Sequence, residues 1–320
     1  MLKMRKIALV LSLLCLVACG GGKKSAAERE CHPFPQITVP SVYTASSEKL
    51  EYTVLHFWDE YFSRGGFTDS TAVLGVRLAE VEQQVANYVS LLDRVPMKLA
   101  KKGVGKLFDK IEAQQKKNEA SLQYRVLTEL VCRYLYDPNS PMRNEDYFLP
   151  FVSALVKSPF TPEELRPGYE FQERMCSINQ YGEKVPNFKF KDIRGRNHSL
   201  YGVKAEYTML FFSNPGCHSC KQIIEDVCSW PYTEEFIAGG RLAVVNVYID
   251  KEIEEWKAYE HNYPRNWITG YDYKFEIRED NLYYVRAIPC LYLLDGNKRV
   301  IMRDAPTEKV MAYLDNIAKQ

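Results

Sequence analysis

The sequence predicts two domains. Residues 47–180 read as all-helical, and residues 181–320 as an α/β domain with a mixed central sheet flanked by helices. Three observations carry this. The apolar period is helical from Ser47 to about Asn179, it changes to two from Tyr181, and 320 residues at 46% hydrophobic suffice for two cores. The 42 basic and 41 acidic side chains leave a net charge of +1, without the basic excess of a nucleic-acid binder.

The N-terminus reads first as an address. Lys3, Arg5 and Lys6 precede an apolar run from Ile7 to Val17, broken only by Ser12, which is too short to span a bilayer comfortably and has signal-peptide flanks. The run ends in Leu16-Val17-Ala18-Cys19-Gly20, which resembles the lipobox of bacterial lipoproteins. That resemblance implies that residues 1–18 are removed and that Cys19 carries acyl chains, several of which anchor more firmly than one. An ordinary signal peptide with a chance cysteine would leave the agreement of these three features unexplained. Gly20-Gly21-Gly22-Lys23-Lys24 reads as a flexible tether, and residues 31–46 as a Pro- and Ser-rich linker or extended arm, so residues 19–46 form anchor and linker. Residue 20 is not Asp, which by lipoprotein sorting points to a periplasm-facing place on the outer membrane. No later stretch has the length and apolarity of a transmembrane helix.

The helical elements follow. Leu50, Val54, Trp58, Tyr61 and Phe62 form one stripe, and Leu74, Leu78, Val81, Val85, Tyr88, Leu92 and Val95 a second that Pro96 ends. Met97, Ala100, Val104, Leu107, Phe108 and Ile111 form a third, weakened by Gly103 and Gly105. Leu122, Val126, Leu130 and Tyr134 mark a helix that stops at Asp137-Pro138-Asn139-Ser140-Pro141. Thr161 as N-cap, Pro162 at the first position and Glu164 three residues on open the last. Five or six helices are expected, with no catalytic constellation. The Lys101, Lys102, Lys106, Lys110, Lys116 and Lys117 face reads as solvated surface.

From Tyr181 the strands begin. Phe188 and Phe190 alternate with polar residues before a turn at Asp192-Ile193-Arg194-Gly195. Tyr207 to Phe212 and Leu242 to Ile249 are buried-strand runs separated by a helical stretch. Leu291–Leu294, Asp295–Lys298 and Arg299–Met302 read as strand, turn and strand, and Thr307–Lys319 as a closing amphipathic helix. The aromatic-rich segment between Ile249 and Arg286 reads as a helix and a loop covering the sheet, or else as a partner surface.

Of nine cysteines, one pair stands out. Cys217-His218-Ser219-Cys220 follows a buried strand through the turn Ser213-Asn214-Pro215-Gly216 and opens a helix. Helix N-termini stabilise thiolates, and two intervening residues let the second sulfur reach the first. Cys217, nearer the end, would attack a substrate disulfide, and Cys220 would resolve the mixed disulfide. His218 reads either as a tuner of that thiolate or as an exposed turn residue. Half of a zinc site shows the same spacing, but no second pair exists and the five histidines are scattered, so neither metal nor cofactor is expected. A structural disulfide closing so short a loop gains little. A peroxidase would want Pro and Thr where Leu210 and Asn214 stand. Cys228 reads as core, Cys290 as a buried core residue or a third thiol near the site, and Cys31, Cys132 and Cys176 as a pool for one structural disulfide.

Ala287-Ile288-Pro289 precedes the strand from Cys290, and here residues 181–320 resemble the thioredoxin superfamily. The resemblance rests on the leading hairpin, Phe212-Ser213-Asn214-Pro215-Gly216-Cys217, the Cys-x-x-Cys, Ile288-Pro289, and the final hairpin and helix. It is nearest the extracytoplasmic, membrane-attached branch that reduces or exchanges protein disulfides. The preceding helical region resembles a domain of unknown function that accompanies such modules in lipoproteins. The resemblance implies a cis Pro289 that shapes the groove and keeps metal from the sulfurs, and an Ile288 backbone that pairs with an extended substrate peptide. Phe211 and Ile223 stand where relatives place an acid behind the resolving thiol, leaving Glu225, Asp226 and solvent as weak candidates for the proton acceptor.

The expected function is thiol–disulfide exchange on envelope proteins, as reductant by preference, with a membrane-bound electron donor in that case. The rival is a binding or sensing lipoprotein that uses the fold as a scaffold.

Overall fold

The structure, a computed structural model, describes residues 30–320; the expected leader, Cys19 and the expected tether lie outside the described residues. Residues 31–45 are a docked arm. Phe34 stacks on Tyr61 at 5.1 Å and meets Phe57 and Trp58 at 5.9 and 5.6 Å, while its N–H donates to Glu80 Oε1 at 2.7 Å.

The first domain is largely helical. It contains α1 (Ser46–His56), α2 (Asp59–Arg64), a two-stranded ladder of β1 (Ala72–Val73) and β2 (Val76–Arg77), then α3 (Leu78–Leu92), α4 (Met97–Lys117), α5 (Gln123–Leu135), α6 (Glu145–Lys157) and α7 (Arg166–Cys176). Seven helices thus replace the five or six expected. Leu74 does not begin the second helix: with Gly75 it turns the ladder, at φ 51° and 77°. The last helix starts at Arg166 rather than Pro162, because the buried Thr161 hydroxyl donates inward to the Leu155 carbonyl (2.7 Å) and meets Tyr124 OH (2.9 Å). The additional α6 is capped by Asn144, whose side chain accepts from the N–H groups of Asp146 and Tyr147.

The second domain is a seven-stranded mixed sheet in the order β4-β3-β7-β6-β5-β8-β9. Its strands are β3 (Lys189–Lys191), β4 (Asn197–Ser199), β5 (Tyr207–Phe212), β6 (Leu242–Tyr248), β7 (Ile268–Tyr271), β8 (Cys290–Asp295) and β9 (Val300–Met302). The helices are α8 (His218–Ser229), α9 (Thr233–Ala238), α10 (Ile253–Tyr259), α11 (Glu276–Glu279) and α12 (Thr307–Ala318). Central β5 runs parallel to β6 and antiparallel to β8. Alternation sends Met209 and Phe211 into the core beneath α8, α9 and α12, and Leu210 and Phe212 to the opposite face. That second face is closed by Leu200, Ile277, Leu282 and Tyr283.

β7 lies inside the segment read as a helix and a loop. Gly270 makes its pairing possible, since a Cβ there would come within 2.5 Å of Phe190 and 2.7 Å of the Lys191 carbonyl oxygen. Among the described residues no helix is long and apolar enough to cross a membrane.

Candidate active site

β5 delivers the chain to the site at the C-terminal edge of the sheet. Ser213 to Gly216 turn it outward, and Gly216 takes φ +70°, a conformation costly for residues with a Cβ. Cys217 then caps α8, its Sγ accepting the Cys220 N–H at 3.1 Å. The two cysteines form a disulfide with Cα atoms 5.2 Å apart. Cys217 is half-buried, whereas Cys220 is 2% exposed among Phe211, Ile223 and Val227. An N–H aimed at Cys217 Sγ from the first turn of a helix is a donor that stabilises a thiolate there. His218, at the first helical position, is exposed.

Ile288–Pro289 is cis, and Ile288 packs against the same cluster as Cys217 and Cys220. Among the described residues the Ile288 N–H and C=O make no hydrogen bond. Glu225 and Asp226 lie away from Cys220: Glu225 is exposed and pairs with Lys221 at 3.7 Å, and Asp226 accepts from Gln222 at 2.9 Å. Neither is placed to serve the buried sulfur.

A polar group missing from the sequence reading closes the turn from below. Ser213 Oγ donates to Asn246 Oδ1 at 2.6 Å and lies 3.2 Å from Tyr263 OH, all three side chains buried. Burial raises the Tyr263 hydroxyl, so it stays protonated at neutral pH. Asn246, the one polar residue within the run Leu242–Tyr248, was the available signal. Asn214 Nδ2 donates to Asp250 Oδ2 at 2.7 Å, and Asp250 pairs with Arg278, tying the turn to the end of β6.

Among the described residues the remaining five cysteines are unpaired. Cys228 is exposed, not core. Cys290 sits opposite Phe212 in the β5–β8 register, so it is close in sequence to the site yet buried on the other face of the sheet. Burial, with Asp304 and Glu145 adding, pushes its thiol well up. Burial likewise pushes the Cys132 thiol up to about 12. Cys31, Cys132 and Cys176 form no disulfide among themselves. A cleft of about 730 Å³ between the domains, lined by Asp93, Arg143, Tyr181, Arg299, Met302 and Lys309 among others, includes neither cysteine of the pair nor Pro289. Among the described residues no three His, Cys, Asp or Glu side chains come together as a metal site.

A thioredoxin-like sheet presenting a cysteine pair at a helix N-terminus defines the class. Residues 205–300 match the family described as Thioredoxin-like, and residues 19–171 match a Domain of unknown function (DUF5106). A thioredoxin-like protein from Bacteroides caccae ATCC 43185 is 33% identical, covering 88% of this chain and 98% of its own, with a TM-score of 0.74. The C-terminal domain of an uncharacterized protein from Bacteroides fragilis NCTC 9343 is 43% identical over 43% of this chain and 98% of its own, at a TM-score of 0.41. A domain of a possible thiol-disulfide isomerase from Cytophaga hutchinsonii ATCC 33406 is 28% identical over 45% of this chain and 96% of its own, at 0.38. No curated protein matches. The chain belongs to the thioredoxin-like family, its thioredoxin-like domain following a DUF5106 domain.

Proposed function

We propose that this protein is a lipid-anchored, periplasm-facing thiol–disulfide oxidoreductase that reduces disulfides in envelope proteins. The observation that carries the reading is the asymmetry of one pair: a half-buried Cys217 capping α8 and a buried Cys220 within bonding distance of it. In the reduced form the Cys217 thiolate attacks a substrate disulfide, and one substrate sulfur leaves and takes a proton. Cys220 then loses its proton and attacks Cys217 Sγ, forming the intrachain disulfide and releasing the second substrate thiol. Two electrons pass to the substrate, and a membrane-bound donor restores the pair. Ile288 contributes unpaired backbone groups and Pro289 the wall of the groove. The anchor rests on the sequence around Cys19; palmitate incorporation that survives Cys19→Ala would overturn it.

The deciding measurement is the reduction potential of the pair in thiol buffers, read by alkylation at Cys217 and Cys220. A reversible couple around −270 mV supports a reductant, and one near about −120 mV an oxidant. Absence of any reversible couple would leave the scaffold reading, which the apolar Phe211 and Ile223 behind Cys220 favour.

A further inference from the structure

Three residues before Pro289, Arg286 is held from both domains. Its Nε lies 3.0 Å from Glu145 Oε1, its Nη2 2.5 Å from Asp304 Oδ2, and its Nη1 donates to the Tyr136 carbonyl. The guanidinium also sits 4.5 Å over the Tyr136 ring, whose hydroxyl meets that of Tyr284 at 2.7 Å. Glu145 is shared: Arg303 Nη1 lies 3.5 Å from its other oxygen, while Arg303 Nε reaches Asp146 at 3.2 Å. Side chains of Glu145, Asp146, Arg286, Arg303 and Asp304 are all at least nine-tenths buried.

Two physical arguments say what this cluster does. Removing these charges from water costs about as much as their pairing returns, so stability alone does not account for them. What the guanidinium does supply is orientation, through hydrogen bonds to Asp304 and the Tyr136 carbonyl and an ion pair with Glu145. The segment they orient needs it: among the described residues the backbone groups of Val285, Arg286, Ala287 and Ile288 make no hydrogen bonds. The approach to Pro289 is therefore fixed through side chains, chiefly that of Arg286. Two of its three anchors, Glu145 and Tyr136, belong to the other domain and the third, Asp304, to its own.

We propose that Glu145 and Arg286 are positioning residues of the exchange site, through which the helical domain holds residues 287–289 where a substrate strand must lie against Cys217. The inference rests on the exchange reading above. It makes the helical domain part of the enzyme's peptide specificity rather than a spacer.

The test uses the full chain at pH 8 and two disulfides as substrates. One is 5,5′-dithiobis(2-nitrobenzoate), which needs only Cys217; the other is a disulfide-bonded peptide long enough to lie along Ile288. The aromatic one is read in a single turnover of pre-reduced protein freed of dithiothreitol. The peptide is read with dithiothreitol as electron source, after subtraction of its uncatalysed rate. Arg286→Met and Glu145→Gln are expected to raise the peptide KM about tenfold with kcat nearly unchanged. The aromatic disulfide should be reduced at the wild-type rate, and the reduction potential should not move. A peptide KM that stays at the wild-type value in folded variants overturns the proposal, and so does an equal loss on both substrates, the mark of a merely structural role. If neither charge variant folds, Arg286→Lys keeps the charge and loses the guanidinium's directional bonds, and the peptide KM decides in the same way. A wild-type protein inactive on both substrates would instead retire the exchange reading.

Discussion

Cys217 and Cys220 share a spacing but not an environment, and under the exchange reading the difference predicts their roles. Cys217 is half-buried, and Cys220, its disulfide partner, is 2% exposed. Cys220→Ser should therefore accumulate a stable mixed disulfide between Cys217 and substrate, visible as a band that dithiothreitol removes. Cys217→Ser should form none, and a covalent adduct in that variant would reverse the assignment. The pair was legible because its signals are local: a buried strand, a Gly turn and two cysteines one helical turn apart. Cys228 was misread because it follows Val227, the last inward residue of α8, and one further residue rotates the side chain by about 100° toward solvent. The Ser213–Asn246–Tyr263 group joins residues 33 and 50 positions apart, which no local pattern marks.

Among the elements, α4 carries two glycines that look alike in sequence and differ in three dimensions. A Cβ on Gly103 would lie 2.6 Å from Tyr88 OH and 2.9 Å from Val54 Cγ1, both in the packed core, whereas one on Gly105 would meet nothing within 4 Å. Gly103 is thus where α4 crosses α1 and α3. Gly103→Ala should cost about 1–3 kcal/mol through overpacking. Gly105→Ala should gain up to about 1 kcal/mol, because only backbone entropy changes. Urea midpoints that move in the same direction for both would contradict this account of the helix crossing. Periodicity found the long helices because their apolar stripes are continuous. It missed α6, whose run Tyr147-Phe148-Leu149-Pro150-Phe151 is apolar on every side and carries a proline. It missed β7 because four residues that include a glycine show no period.

At the scale of the whole molecule, the two domains are joined by buried charges, and this gives stability a pH dependence that neither domain would have alone. Glu145 is pushed up to about 7 by burial, against the opposing pull of Arg303 and Arg286 and with Asp304 and Asp146 adding to the rise. The folded protein then holds a proton that the unfolded chain releases above its ordinary carboxyl value of 4.5. Stability should fall as pH rises from about 4.5 to about 7 and lose this slope above it, by at most about 1.4 kcal/mol per pH unit for one proton. Asp192 works in the opposite sense at lower pH. Burial would raise its carboxyl, but hydrogen bonds from His198 and Arg196 outweigh it and hold the group well below its usual range. That contribution is present above the ordinary value of 3.8 and fades as pH falls below it. Glu145→Gln isolates the first effect. Urea unfolding at pH 5, 6, 7 and 8 should give a wild-type curve that declines relative to the variant up to about pH 7 and then runs parallel to it. A constant difference across all four would mean that Glu145 is ionised throughout and that the domains are joined by fully charged pairs. Composition could not reveal this, because a chain with 42 basic and 41 acidic groups offers no clue to which of them meet across 141 residues, as Glu145 and Arg286 do.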